Sequence, residues 1–348
     1  KKDFYLLLII TSTFFLGCSS DDNSDSNNIN SSWENIPFSG DDGYGIYSSC
    51  SSGNDLYIGT TTNGVFKSSD GGVTWASISN GIIDKKNCKV YSNNNVLYVT
   101  TSVICPNCNP INKIYKSVDN GNNWIPIWEI LNNNGVIPNP TVENLSFINS
   151  DIYASRGTSV YKSSNNGINW QLVFTNPDTS FPGTVNKVLK MNNTIFLNVT
   201  NGGGVFKSTN GGNNFTILSN LNFNNVEITT ITATNNNFYM ATGTLSDVNT
   251  RGVYISDENA ISFQLFNQDF NINPSSTIRF GCLFSFNNII YLSCNNNFVY
   301  KSSNNGINWQ KLGDKVDANL NSIPDRNLLT INNKLFLITA NKIYKYNL

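Results

Sequence analysis

Ser68-Ser69-Asp70-Gly71-Gly72-Val73-Thr74-Trp75 reads S-x-D-x-G-x-T-W, and the chain repeats it. Further copies occupy residues 117–124, 163–170, 208–215 and 302–309, and a degraded copy occupies residues 256–263. A short apolar triplet precedes each one: Val65-Phe66-Lys67, Ile114-Tyr115-Lys116, Val160-Tyr161-Lys162, Val205-Phe206-Lys207, Val253-Tyr254-Ile255 and Val299-Tyr300-Lys301. The closing aromatics Trp75, Trp124, Trp170, Phe215, Phe263 and Trp309 follow one another at intervals of 49, 46, 45, 48 and 46 residues.

A period in the forties built from short strands predicts an all-β propeller with four strands per blade. The second repeat shows the grammar. Strand A is expected near residues 88–91, B at 96–101, C at 113–117 and D at 124–128. An Asn-rich turn joins A to B, and Asn tolerates the positive φ of tight hairpins. Six motif copies suggest six blades, but the chain ends suggest seven. Residues 328–331, 334–339 and 342–346 supply three further strands and then the chain stops. Trp33-Glu34-Asn35-Ile36 resembles a D strand with no blade of its own. Pairing it into the last blade closes the ring and removes an exposed edge. Seven blades are the expectation; six, with Trp33 packing elsewhere, is the alternative.

The repeated residues resemble the Asp-box (BNR) repeat of sialidases, sortilin-type receptors, xyloglucan-cleaving glycoside hydrolases and the photosystem II assembly factor family. The resemblance covers nearly all of residues 33–348 and implies the propeller fold rather than an activity. Position five of the motif is Gly72, Gly121, Gly167, Gly212 and Gly306, where a tight turn requires positive φ. Position three is Asp70 and Asp119 but Asn165, Asn210 and Asn304. Asn keeps an acceptor oxygen and loses charge and basicity, so the residue is expected to cap a turn rather than to act as an acid. Position eight (Trp75, Trp124, Trp170, Phe215, Trp309) is expected to pack between blades. In the degraded copy Glu258 and Ala260 replace the acid and the glycine, and a changed turn is expected there.

Composition narrows the chemistry. The chain has no histidine, which removes Ser-His-Asp and Cys-His catalysis and His-ligated metals. A net charge of -1 gives no reason to expect a nucleic-acid partner. No cofactor or metal is expected, and a monomer is.

Ligands of such folds usually meet the face formed by the D–A and B–C loops. The strand count places Asp41, Asp42, Tyr44, Asp84, Lys85, Lys86, Glu143, Lys187, Glu227, Arg279, Asp325 and Arg326 there, with Arg156 and Arg251 on B–C loops. A carboxylate-pair glycosidase needs two acids about 5–10 Å apart, and Glu143, Glu227 and Asp325 are the candidates. Sialidase chemistry needs three Arg on a carboxylate. The chain has four (Arg156, Arg251, Arg279, Arg326) and lacks the Arg-Ile-Pro signature, since Phe280-Gly281 follows Arg279. The leading expectation is a binding or scaffold module for a glycan, peptide or protein. The alternative is a sialidase-like or xyloglucanase-like glycoside hydrolase using rim carboxylates.

Residues 1–17 hold a basic start and an apolar run ending in Leu16-Gly17-Cys18, which resembles a bacterial lipoprotein signal with lipid on Cys18. Residues 18–32 read as a polar tether. Asp21, Asp22 and Asp25 resemble surface-export signals of Bacteroidota lipoproteins. Attachment to the outer membrane, at the cell surface, is the expected location. The other six cysteines suit an exported, disulfide-bearing chain. Cys105 with Cys108 and Cys282 with Cys294 are the candidate pairs; Cys50 and Cys88 fall on neighbouring innermost strands.

Overall fold

The computed structural model describes residues 32–39, 45–102, 112–130, 142–177, 183–200, 203–218, 227–234, 236–243, 250–257, 260–270, 279–316 and 327–348. Cys18, Tyr44, Cys105, Cys108, Glu258, Asp325 and Arg326 lie outside them. The described residues form seven four-stranded antiparallel sheets, the blades of a seven-bladed β-propeller. One compact unit runs from Ser31 to Leu348.

The second blade comprises Lys89–Asn93, Val96–Thr101, Asn112–Ser117 and Ile125–Ile130, paired in that order. These bounds fall within two residues of the sequence expectation. Two-residue turns join A to B, with Asn94 and Asn95 at φ 49° and 62° and Asn332 and Asn333 at 50° and 57°. Positive φ at both central residues gives the turn twist that antiparallel strands require, and Asn tolerates it. The B strands are buried almost throughout: every residue after the first is buried in Asp55–Thr60, Val96–Thr101 and Thr194–Val199. Both faces of each blade pack on a neighbour, so these strands read as continuous apolar runs.

Those faces form seven apolar clusters, one between each pair of adjacent blades, and each holds one aromatic residue from the repeat position. Trp75, Trp124, Trp170, Phe215, Phe263 and Trp309 take their places in six of them. Trp33 takes the same place in the seventh, with Tyr291, Leu312, Leu335 and Tyr344. Its indole Nε1 donates to the Leu312 carbonyl at 3.2 Å, and its ring lies 5.2 Å from that of Tyr346. Trp33 therefore precedes a true D strand. Glu34–Ile36 pairs antiparallel with Ile343–Asn347 of the last blade, Ile36 opposite Ile343, and Lys345 bonds Glu34 at 2.8 Å. The six-bladed alternative is excluded.

The repeated turn is held by one scheme. The motif Ser hydroxyl accepts the Gly N–H four residues on, at 2.8–3.0 Å, in all five regular copies. The same hydroxyl donates to the Asp or Asn oxygen. That oxygen accepts a backbone N–H: Thr74 on Asp70 at 2.9 Å, Asn169 on Asn165 at 2.8 Å, Asn308 on Asn304 at 3.0 Å. Acid and amide do the same work. A Cβ on Gly121 would lie 2.4 Å from Ile78 Cδ1, so the glycine serves the blade contact as well as the turn. In the degraded copy Ala260 sits at φ 50°, against 81–94° for the glycines, and the buried Ser256 hydroxyl finds no partner. The turn is altered there, as its sequence suggests.

The structure corrects one cysteine pairing. No disulfide joins Cys282 to Cys294. Cys294 faces the cluster between the fifth and sixth blades, and Cys282 that between the sixth and seventh. Cys294 stands opposite Phe280, and a register shift separates that pair from Leu283–Leu292. Side chains of one hairpin on opposite faces of its sheet do not meet. Cys50 and Cys88 are free, and burial pushes the Cys88 thiol up to about 12.

Two outcomes follow. Ile36→Ala removes a buried side chain from the closing strand and is expected to cost about 2–4 kcal/mol, read by urea denaturation. Hydrogen bonds from Thr74 and Ser68 hold the Asp70 carboxyl at about 2, and those from Asn123 and Ser117 hold Asp119 at about 2, against an ordinary 3.8. Depressed carboxyls stabilise the fold above the ordinary value, and that contribution is lost as pH falls toward 2. An Asp70→Asn, Asp119→Asn double variant is expected to fold cooperatively and to lose less Tm between pH 4 and 2 than the parent.

Candidate binding site at the mouth of the central channel

The innermost strands begin at Ile46, Lys89, Asn144, Val185, Ile228, Phe280 and Asn327. Residues at or beside these strand heads line a central cavity of about 1330 Å³, to which all seven blades contribute. None of the repeated turn residues lines it. The turns join C to D, at the other end of each blade.

Amide side chains stitch this ring together. Asn144 Nδ2 donates to the Asn186 carbonyl, and Asn186 Nδ2 to the Thr229 carbonyl at 3.0 Å. Asn327 Nδ2 donates to the Ser49 carbonyl at 2.7 Å and to the Ser49 hydroxyl at 2.9 Å. Ser48 and Ser146 hydroxyls accept the N–H groups of Val90 and Val188 on the next blades. An amide at the head of an innermost strand satisfies a carbonyl that the strand edge leaves unpaired.

Five charged side chains among the described residues line the cavity: Lys89, Glu143, Lys187, Glu227 and Arg279. Arg279 Nη2 pairs with Glu227 Oε1 at 3.3 Å, the carboxylate nearly covered and the guanidinium largely open. Lys89 Nζ bonds the Glu143 carbonyl and lies 5.4 Å from the centre of the Tyr47 ring, which is 44% exposed. Lys187 is half-buried, and among the described residues no hydrogen bond or ion pair reaches its amine. Burial lowers its pKa, and the neighbouring Cys282 partly opposes that.

Glu143, Glu227, Lys187 and Arg279 share one cavity; Asp84, Lys85, Lys86, Arg156 and Arg251 do not line it. Among the described residues a single Arg faces the channel, so a three-Arg clamp is not assembled there. Tyr47, Lys89 and the ring of Asn144, Asn186 and Asn327 were not singled out from the sequence. Their signal is positional: each is the first or second residue of an innermost strand. Among the described residues no group of three or more Cys, Asp or Glu could hold a metal ion, and no helix is long and apolar enough to cross a membrane.

No family model matches the chain, and no curated protein matches it. Solved structures do. The fold is similar to YCF48 from Cyanidioschyzon merolae, with TM-score 0.63 and 16% identity over 91% of this chain and 99% of that one. It is similar to YCF48 bound to D1 peptide, with TM-score 0.63 and 14% identity over 91% and 97%. It is also similar to the Niastella koreensis GH74 enzyme, with TM-score 0.67 and 18% identity over 90% of this chain and 53% of that one. This chain thus spans about half of that enzyme's length. At such identities the likeness establishes the propeller.

Lys187→Met is expected to raise Tm by about 2 °C at pH 7, measured by calorimetry. The folded chain disfavours the charged amine, so the unfolded chain holds more protons and parent stability rises with pH. The advantage of the variant therefore shrinks as pH approaches 10.5, the ordinary value for the amine.

Proposed function

We propose that the protein is a binding scaffold that receives a glycan, peptide or protein ligand at the mouth of its channel. The observation that carries this reading is the ion pair between Glu227 and Arg279 inside a wide, polar, amide-lined cavity. It engages a carboxylate that hydrolysis would need for proton transfer or attack, and the stitched rim forms a fixed surface. A propeller of the same fold bound to D1 peptide supports ligand binding by such a ring. The glycoside hydrolase reading retains one supporting observation: Glu143 and Glu227 face the same cavity. We further propose lipid attachment at Cys18 and display on the outer membrane, a reading that rests on the N-terminal sequence alone.

The purified full-length chain, applied to glycan and peptide arrays and then titrated by calorimetry, is expected to bind without turnover. Tyr47→Ala or Arg279→Ala is expected to weaken binding at least about tenfold, or about 1.4 kcal/mol. Turnover of a glucan or sialoside that Glu227→Gln or Glu143→Gln abolishes would replace the scaffold reading with the hydrolase.

A further inference from the structure

Among the described residues the charges on the cavity wall do not balance. Three cations, Lys89, Lys187 and Arg279, face two carboxylates, Glu143 and Glu227, among the described residues. Arg279 is committed to Glu227, and Lys89 to the Glu143 carbonyl and the Tyr47 ring. Among the described residues Lys187 has no side-chain partner, and its ammonium is open to the cavity rather than sealed in the core. The ionisable group that acts on it, Cys282, is a thiol that burial keeps neutral. A ligand bearing one negative charge would complete the site.

The rest of the wall indicates what carries that charge. Ile46, Leu145, Val188, Ile228 and Phe280 touch the cavity but are buried in the clusters between blades, and Phe147 is half-buried against one of them. No deep apolar pocket is thereby offered to the side-chain anchors that peptides use. What the wall does offer is amide and hydroxyl groups from Asn144, Asn186, Thr184, Thr200, Thr229 and Asn327. These match hydroxyls that both donate and accept. The exposed Tyr47 ring adds one flat apolar surface of the kind a sugar ring covers.

We infer that Lys187 is the anion-recognising group of a saccharide site in the channel, and that its ligand is a carboxylate-bearing sugar, a uronic acid unit. The inference rests on the scaffold reading and specifies its ligand. The amine of Lys187 donates to the carboxylate, the amides of the ring take the hydroxyls, and Tyr47 covers one face of the sugar. Among the described residues, Lys89, Glu143, Glu227, Arg279, Cys282 and Tyr47 are the other titratable groups around the cavity.

The test is calorimetric titration of the full-length chain at pH 7 with oligomers of galacturonic, mannuronic and glucuronic acid. The same oligomers, fully methyl-esterified, serve as neutral controls. The acid form of one of them is expected to bind at least tenfold more tightly than its ester. Lys187→Met is expected to erase that preference and Lys187→Arg to keep it. The preference is expected to fade as pH rises and the amine sheds its proton. Equal binding of acid and ester overturns the inference, as does a preference that survives in Lys187→Met or no binding of any acid form. Stronger binding of poly-glutamate, lost in Lys187→Met, overturns the saccharide assignment. Neutral glycans bound at the mouth without acid preference would sink this inference while leaving the scaffold reading intact.

Discussion

The propeller depends on burying both faces of every blade. A four-stranded sheet with two apolar faces is not stable alone, and each of its faces is completed only by the next blade. The seven clusters are therefore one continuous constraint around a circle, and a circle must close. Closure falls to Glu34–Ile36, the three-residue strand paired with Ile343–Asn347, and to Trp33, which fills the seventh interblade position. Without that strand the last blade would present an unpaired edge along Ile343–Asn347 and one cluster without its aromatic residue.

This dependence explains why the fold was so legible. The B strands announce themselves as short apolar runs because both faces are covered, and their turns announce themselves through Asn pairs at positive φ. The repeated turn tolerates exchange of Asp for Asn because its task is to accept one N–H and one hydroxyl, which either side chain performs. The copy that loses glycine shows what the consensus contributes. Ala260 still enters the left-handed region, but Ser256 forfeits its partner. Trp33 was readable because it keeps the motif aromatic's packing role even though the motif itself is absent.

The site was legible only in part, and the reason is geometric. A count of strands tells which loops reach a face, and Glu143, Lys187, Glu227 and Arg279, read from that count, all line the channel cavity. It does not tell which of their neighbours stays on the rim, so Arg156 and Arg251 were grouped with them. Nor does alternation along a strand show which residue at its head turns inward. Tyr47, Asn144 and Asn327 owe their positions to the convergence of seven strands, a property of the ring rather than of any one blade. The Cys282–Cys294 pairing failed for a related reason. Adjacency along a hairpin says nothing about which face each side chain takes, and a register shift between Phe280 and Leu283 intervenes.

The inner ring also governs what kind of recognition the channel supports. Bonds from Asn144 to the next blade, from Asn186 to the one after, and from Asn327 back to the first blade cross the blade boundaries at the rim. Rigid-body opening of one blade against another would break them and expose an apolar cluster at the same time. A cavity held this way cannot pay for affinity by closing on its ligand; it must present its groups already placed. Lys187 fits that logic. A half-buried amine without a partner costs the empty protein stability, and neighbouring side chains of a packed, hydrogen-bonded ring have little freedom to move and relieve it. The same interblade contacts that close the propeller thus hold the unmatched charge in place, and a ligand that enters the channel carrying the opposite charge would relieve it.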